Sequence, residues 1–423
     1  MKTIRVTFLL LVVSVSLMAQ EKPVRLESLL DQALERNPKI KAMEGEVQAY
    51  SLKIPQERTL PNPMLGFNLR NMGLSRWMIG EDIMSGLGFT FSQAIPFPGK
   101  LSLRGQVAAK AYERKAESLN AVKLSVLKEI KLAYFELFYD YKAIDILTRQ
   151  RSLLEKALSL TEAKYAVGKG VQSDILKAQV EISKIDEMII PMKQMIPMLK
   201  ARINTLLDFP PDQELGIPED QNVPGLEKSL QELQKLASEN SPMVREAGFM
   251  IQESSKMVEM SRKDFYPDFV VQGGYDFRGK LTPMYEIMVG VEIPLYFKTK
   301  QANRLKESQA MLESSRSNFT SASNELSFMV TESYIKAKAS ENLVSLYRER
   351  IIPQASLAVE SSLANYQVDK IDFLSLLADI TNLFSYEAVY YKEASQIWSS
   401  IAELEEFTGT KLVNWGGKNE EVR

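Results

Sequence analysis

Residues 101–167 contain no proline and a single glycine, Gly105, and this stretch limits what the chain can fold into. Apolar residues recur along it at helical spacing. Leu127, Ile130, Tyr134, Leu137, Tyr141 and Ile144 fall at intervals of 3, 4, 3, 4 and 3, which is a coiled-coil seam. At 1.5 Å rise per residue a helix of this length extends roughly 100 Å. Most globular helices have only three or four turns, so such a rod must lie along other long helices or project into solvent. A second one is predicted over 301–366, broken only at Pro353.

Composition narrows what two such rods can serve. A formal net charge of −2 argues against a basic nucleic-acid surface, and no nucleic-acid partner is expected. With no cysteine there is no disulfide, thiolate nucleophile or lipidated cysteine, and with no histidine the commonest metal ligand and general base are absent. No phosphate-binding glycine loop or paired acid motif stands out from the helix charges. No catalytic residue, cofactor or metal ligand is therefore assigned, and an enzyme is not expected. Met188, Met192, Met195 and Met198, and Met243, Met250, Met257 and Met260, form stripes that soft Cu(I) or Ag(I) could bind. Adaptable helix packing is the preferred reading of both.

The first residues carry Lys2 and Arg5, an apolar run over 6–17, and Met18-Ala19-Gln20-Glu21. This is the pattern of a secretory signal, expected to span 1–19. No later segment has the apolar length of a transmembrane helix, so an exported chain of this kind would enter a membrane only as β-structure.

The remainder reads as one programme performed twice. The first repeat, 20–207, opens with helix broken at Asn37-Pro38. Two alternating strands follow at about 64–71 and 85–95, then the long helix 101–167 and a returning helix 173–207. A proline-rich linker occupies 208–225. The second repeat, 226–407, has Ser241-Pro242, strands at about 269–277 and 286–295, the long helix 301–366 and a returning helix 372–407. A C-terminal tail, 408–423, completes the chain. Tyr366-Gln367-Val368-Asp369-Lys370 aligns with Tyr165 to Lys169 at an offset of 201 residues. That period is too long for a solenoid and indicates duplication.

Each strand has one apolar and one polar or small face. Leu65, Phe67, Leu69, Leu87, Phe89, Phe91, Val271, Tyr275, Val289 and Val291 are predicted to face lipid. Asn68, Arg70, Thr90, Gln272, Asp276, Arg278 and Glu292 suit a wet lumen. Open sheet edges are costly in hydrocarbon, and four strands fall short of the roughly eight in the smallest membrane barrels. Several chains must pool their strands: two copies would give a filled eight-stranded barrel, three a wider twelve-stranded one.

With these features the chain resembles the TolC-like outer-membrane factors, the exit ducts of bacterial tripartite efflux and type I secretion systems. The resemblance rests on the duplication, the proline-terminated strands, and Tyr165-x-x-Gly168 followed by Asp174-x-Leu176. Gln93-Ala94-Ile95-Pro96-Phe97-Pro98-Gly99-Lys100 is closer to the heavy-metal-efflux branch than to the multidrug branch. The resemblance implies a mainly α fold with a small β part. It implies a homotrimer with a twelve-stranded outer-membrane barrel, continued into the periplasm of a Gram-negative bacterium by an α-helical barrel. It implies docking to a periplasmic adaptor and an inner-membrane pump, with the linker and tail in an equatorial belt. Val167, Gly168, Lys169, Val368, Asp369 and Lys370 would form the docking tips. Asp369 stands where the first turn has glycine, which leaves the equivalence of the two turns open. The family's acidic gate positions fall here on Ser375 and Ala378, so Asp369, Asp372 and Asp379, with Asp174, are the candidate gate carboxylates. Two other readings stay open: a type I protein-secretion duct, and an exported coiled-coil scaffold or adhesin without a pore.

Overall fold

The computed structural model describes residues 23–71 and 79–415. The expected signal segment and the last part of the tail, 416–423, lie outside the described residues. Proline starts the second helix of each half, where its missing N–H costs nothing. α1 (Leu26–Arg36) gives way to α2 (Pro38–Arg58) at Asn37. The buried Asn37 side chain accepts from the amides of Lys39 and Ile40 at 2.9 and 3.3 Å and donates to the Leu206 carbonyl at 2.8 Å. One residue thus caps α2 and ties it to the end of a distant helix.

β2 (Met64–Arg70) and β3 (Gly86–Ile95) follow, then α3 (Lys100–Ala166) and α4 (Gln172–Leu206). After the linker come α5 (Leu230–Asn240), α6 (Pro242–Lys263), β5 (Asp268–Phe277), β6 (Met284–Glu292), α7 (Gln301–Leu346), α8 (Ile352–Gln367) and α9 (Phe373–Thr408). The first rod is one helix of 67 residues, as its sequence predicts. The second is not broken at Pro353. A π-helical turn, Tyr347–Ile351, precedes the proline, and α8 continues the rod with Pro353 in its first turn. The wider turn accommodates the ring, which would clash with the carbonyl four residues back in a regular helix. β6 ends at Glu292 instead of 295, with Ile293 and Pro294 beyond it.

The linker, expected to be irregular, contains a short strand. β4 (Ile217–Pro218) pairs in parallel with β1 (Pro23–Val24). The Tyr134 hydroxyl joins them, donating to the Val24 carbonyl at 3.0 Å and accepting from the Glu219 amide at 3.0 Å.

α3 packs on α2, α4, α6 and α9. Ile130, Tyr134 and Leu137 of the seam are fully buried, while Leu127, Tyr141 and Ile144 are half-buried. A first core surrounds Phe135, whose ring stacks on Trp398 at 4.6 Å and lies 5.4 Å from Trp415. A second core lies nearer the helical turns, around Leu154, Ile185, Phe373 and Ile380. Beside the first core the buried Glu405 carboxylate accepts from Lys131 and from the Trp415 indole at 2.8 Å. It also accepts from the amides of Leu412 and Val413 at 2.7 and 3.2 Å. This cluster holds the chain after α9 against α3.

Candidate functional site

The four longer strands form one antiparallel sheet in the order β2-β3-β5-β6, so the two hairpins join through β3 and β5. The register sorts the side chains. Leu65, Phe67 and Leu69 oppose Phe91, Phe89 and Leu87. Leu87, Phe89 and Phe91 oppose Phe277, Tyr275 and Gly273. Tyr275, Val271 and Phe269 in turn oppose Tyr285, Val289 and Val291. Residues directly opposite in a ladder share a face, so these side chains make one continuous apolar surface. It is exposed in the single chain, reaching 82% at Leu65 and 85% at Ile287. Single exposed apolar residues are ordinary, but a contiguous sheet face is not.

The opposite face carries Asn68, Arg70, Thr90, Gln272, Asp276 and Glu292. Arg70 and Asp276 form an ion pair that crosses β3. Gly88 makes room for it, since a Cβ there would collide with Asn68 and Asp276. Arg278 departs from its expected place. It lies one residue past β5, and its guanidinium donates to the Ile83 carbonyl in the loop before β3. β2 and β6 are each paired along one side only, leaving two open edges.

At the other end of the rods the two turns share one backbone design. Gly168 and Asp369 are both left-handed, at φ 74° and 61°. The Lys169 amide donates to the Lys164 carbonyl at 2.9 Å, and the Lys370 amide to the Asn365 carbonyl at 3.0 Å. These are the long-range bonds of a Schellman ending. The substitution of aspartate for glycine therefore leaves the turn intact. Val167, Gly168, Lys169, Val368, Asp369 and Lys370 are all exposed in the single chain.

Lys164 was not among the candidates, because a lysine near a helix end reads as an ordinary dipole partner. It is buried against the second turn. Its ammonium donates to the Tyr366 carbonyl and to Asp369 Oδ1, and lies 4.1 Å from the centroid of the Tyr366 ring. The Tyr366 hydroxyl lies 3.0 Å from Thr161 Oγ1. Lysine 164 holds the Asp369 carboxyl below its ordinary pKa, chiefly through their hydrogen bond. The other gate candidates are engaged as well. Asp372 caps α9 by accepting from the Ser375 amide at 2.8 Å, and that side chain's contacts with Ser375 lower its pKa. Asp379 accepts from the Ser362 hydroxyl, and Asp174 lies 3.4 Å from the Lys177 ammonium. Ser375 and Ala378 are exposed.

Asp140 of α3 was also missed, since a carboxylate on a long helix reads as a solvated charge. It is 7% exposed, and its Oδ2 has no hydrogen-bond partner. Burial, with a smaller contribution from Glu136, pushes its carboxyl up to about 6. Between about pH 4 and 6 the folded chain holds a proton that the unfolded chain has released. This group's contribution to stability therefore falls as pH rises through that window and stays low above it. Asp140→Asn should raise the unfolding temperature at pH 7, by up to roughly 2–3 kcal/mol of stability, and the gain should vanish near pH 4. Paired melting curves at the two pH values check this.

Met188, Met195 and Met198 are exposed on α4 in the single chain. Among the described residues no group of His, Cys, Asp or Glu is placed to hold a metal ion, and no helix is long and apolar enough to cross a membrane.

Residues 29–191 match the family model described as "Outer membrane efflux protein". The chain is 22% identical over 402 residues to the cobalt-zinc-cadmium resistance protein CzcC of Cupriavidus metallidurans, covering 92% of this chain and 90% of that one. Its fold matches CusC, whose structures concern folding and transmembrane channel formation, with a TM-score of 0.78 at 14% identity, over 92% of this chain and 93% of that one. It also matches the outer membrane protein VceC of Vibrio cholerae, with a TM-score of 0.77 at 16% identity, over 92% and 97% of the two chains.

Proposed function

We propose that the chain is a member of the outer membrane efflux protein family, whose model its residues 29–191 match, and that three copies assemble into the exit duct of a tripartite efflux system. The observation that supports assembly is the sheet, with an apolar face bare in the single chain and two open edges; the number of copies follows the family resemblance. Pairing β6 of one copy with β2 of the next removes every edge and turns the apolar face toward lipid. Three four-stranded sheets make a twelve-stranded barrel whose inner face carries Asn68, Thr90, Gln272 and the Arg70–Asp276 pair. The two halves of each chain, related by duplication, supply the α-helical tube that continues the bore through the periplasm. The protein is a passive channel of the outer membrane, not an enzyme. In this reading a pump in the inner membrane drives transport, and an adaptor docks at the exposed turns around Gly168 and Asp369.

Divalent metal cations are the cargo best supported. The relative that matches over nearly the whole chain is named for cobalt, zinc and cadmium resistance. A strain lacking this protein should become more sensitive to zinc or cadmium than to organic drugs, and the opposite order would reject the assignment. The duct itself is tested by single-channel conductance in a planar bilayer, with the mass of the assembly measured in detergent. A trimer with discrete, cation-preferring conductance is expected. A monomer without conductance would instead return the hairpins to a non-porous scaffold.

The resting gate is assigned to the turns. Lys164 bonds the first hairpin to the second through Asp369 and the Tyr366 carbonyl, holding the two together. Asp369→Asn and Lys164→Gln should each raise the leak conductance of the isolated channel. Currents indistinguishable from the parent in both variants would leave Lys164 with a structural role only.

A further inference from the structure

Below the sheet, α3 begins just after β3 ends and α6 finishes just before β5 starts. A groove of about 470 Å³ opens there, under the paired bases of β3 and β5. We infer that this groove, with the apolar wall above it, binds one anionic phospholipid of the periplasmic leaflet. The inference rests on the reading that the apolar sheet face meets lipid.

The groove has a cationic end. Lys263 Nζ lies 5.4 Å from the centroids of Phe97 and Tyr266, whose rings stack at 4.6 Å. Arg262 is exposed beside it. The other charges nearby are paired. Lys100 binds Asp268 at 2.8 Å and the Tyr266 carbonyl at 3.2 Å; Arg304 lies 3.3 Å from Asp264; Glu259 is 2.9 Å from Lys256. Glu259 also lines the groove but is held by Lys256, and among the described residues Arg262 and Lys263 form no ion pair, so the lining is net positive. Gly99, left-handed at φ 92°, makes the turn into α3 at the edge of the groove. Cations set on aromatic rings at the end of an apolar wall are what a phosphate headgroup at a membrane interface requires.

The apolar wall supplies the other half. Phe269 of β5 lies opposite Ile95 at the base of the pair, and Gly273 lies opposite Phe91 higher up. Gly273 has no atom within 4 Å of the place a Cβ would occupy, and around it lies a trough of about 770 Å³ between the Phe89–Phe91 side and Tyr285–Ile287. Gly273 lies five residue steps along β5 from Asp268, about 17 Å on a strand. That is close to half of a ~30 Å hydrocarbon core, the reach of one acyl chain. The headgroup groove lies between the start of α3 and the end of α6, and the trough lies on β3 and β5, the strands that these two helices adjoin. A phospholipid would use both, whereas free phosphate would use only the lower part.

The test compares lipid retention by the full chain, after reconstitution in mixed phosphatidylcholine and phosphatidylglycerol, by mass spectrometry of the intact assembly. The parent should retain phosphatidylglycerol over phosphatidylcholine. R262Q/K263Q should lower phosphatidylglycerol retention roughly 10- to 30-fold, the effect of losing two cations at a membrane surface. Gly273→Leu, which fills the trough, should lower retention while leaving Arg262 and Lys263 in place. Parent-level retention in the double variant overturns the headgroup site, and parent-level retention in Gly273→Leu overturns the acyl trough. An equal loss in Lys336→Gln, far along α7, would reduce the effect to net charge and overturn the site. Only assemblies that insert and conduct are compared, so a protein that never enters the bilayer counts against the channel reading and not against this site.

Discussion

Glu405→Ala should unfold well below the parent protein, with a loss on the order of 3–5 kcal/mol, the cost of stranding one member of a buried ion pair. The Glu405 carboxylate is the shared acceptor for the Lys131 ammonium, the Trp415 indole and two backbone amides. The side chains of the pair are 7% and 5% exposed. Burial already holds the Lys131 pKa below its ordinary value despite Glu405 beside it. Without that carboxylate the ammonium must lose its proton or draw in water. Glu405→Ala should also free the segment after α9, which amide exchange at Leu412 and Val413 would detect. Lys131→Met combined with Glu405→Leu should recover part of the loss, because no charge is then left unpaired. A double variant no better than Glu405→Ala would place the effect in the indole and amide bonds instead.

Phe89→Lys should abolish most barrel assembly, while Thr90→Lys, one residue away, should be tolerated. Phe89 sits mid-strand between Phe67, at 5.4 Å, and Tyr275 on the apolar face. A lysine near the bilayer midplane costs roughly 2–4 kcal/mol at each site, and a trimer contains the change three times. Thr90 points to the other face, where a lysine would meet water and polar groups. The measurement is the yield of heat-resistant trimer in outer-membrane fractions. Comparable yields for the two variants would mean that the apolar face is not the one turned to lipid.

The faces of the strands were legible because a strand alternates with period two, and each hairpin showed its apolar and polar sides within ten residues. The joining of the hairpins was not. β3 meets β5 across well over a hundred intervening residues, and nothing local specifies that register. The long rods were legible from the lack of helix breakers and, in the first, a coiled-coil seam, but Pro353 was read as a break because sequence cannot show that a π-helical turn would absorb it. β1 and β4 were missed because two-residue strands have no period. Lys131, Glu405, Lys164 and Asp140 were missed for a common reason. Charged residues are ordinary on a long helix, and only packing shows which of them have been drawn inside. The candidate tips were read from a resemblance, and the contact between Lys164 and the second turn had no sequence signal.

The near-identity of the two helical turns has a consequence for stoichiometry. Each chain ends its hairpins in Val-Gly-Lys and Val-Asp-Lys, with the left-handed residue at the same place in the turn and the same closing bonds. In a trimer the rim would present six such ends in alternation. A partner that reads the shared valine, lysine and backbone finds six equivalent places and can sit on them with sixfold order. A partner that reads the hydrogen atom of Gly168 against the carboxylate of Asp369 finds only three. One side-chain difference between otherwise matching turns would thus decide how many copies of a partner such a rim can count.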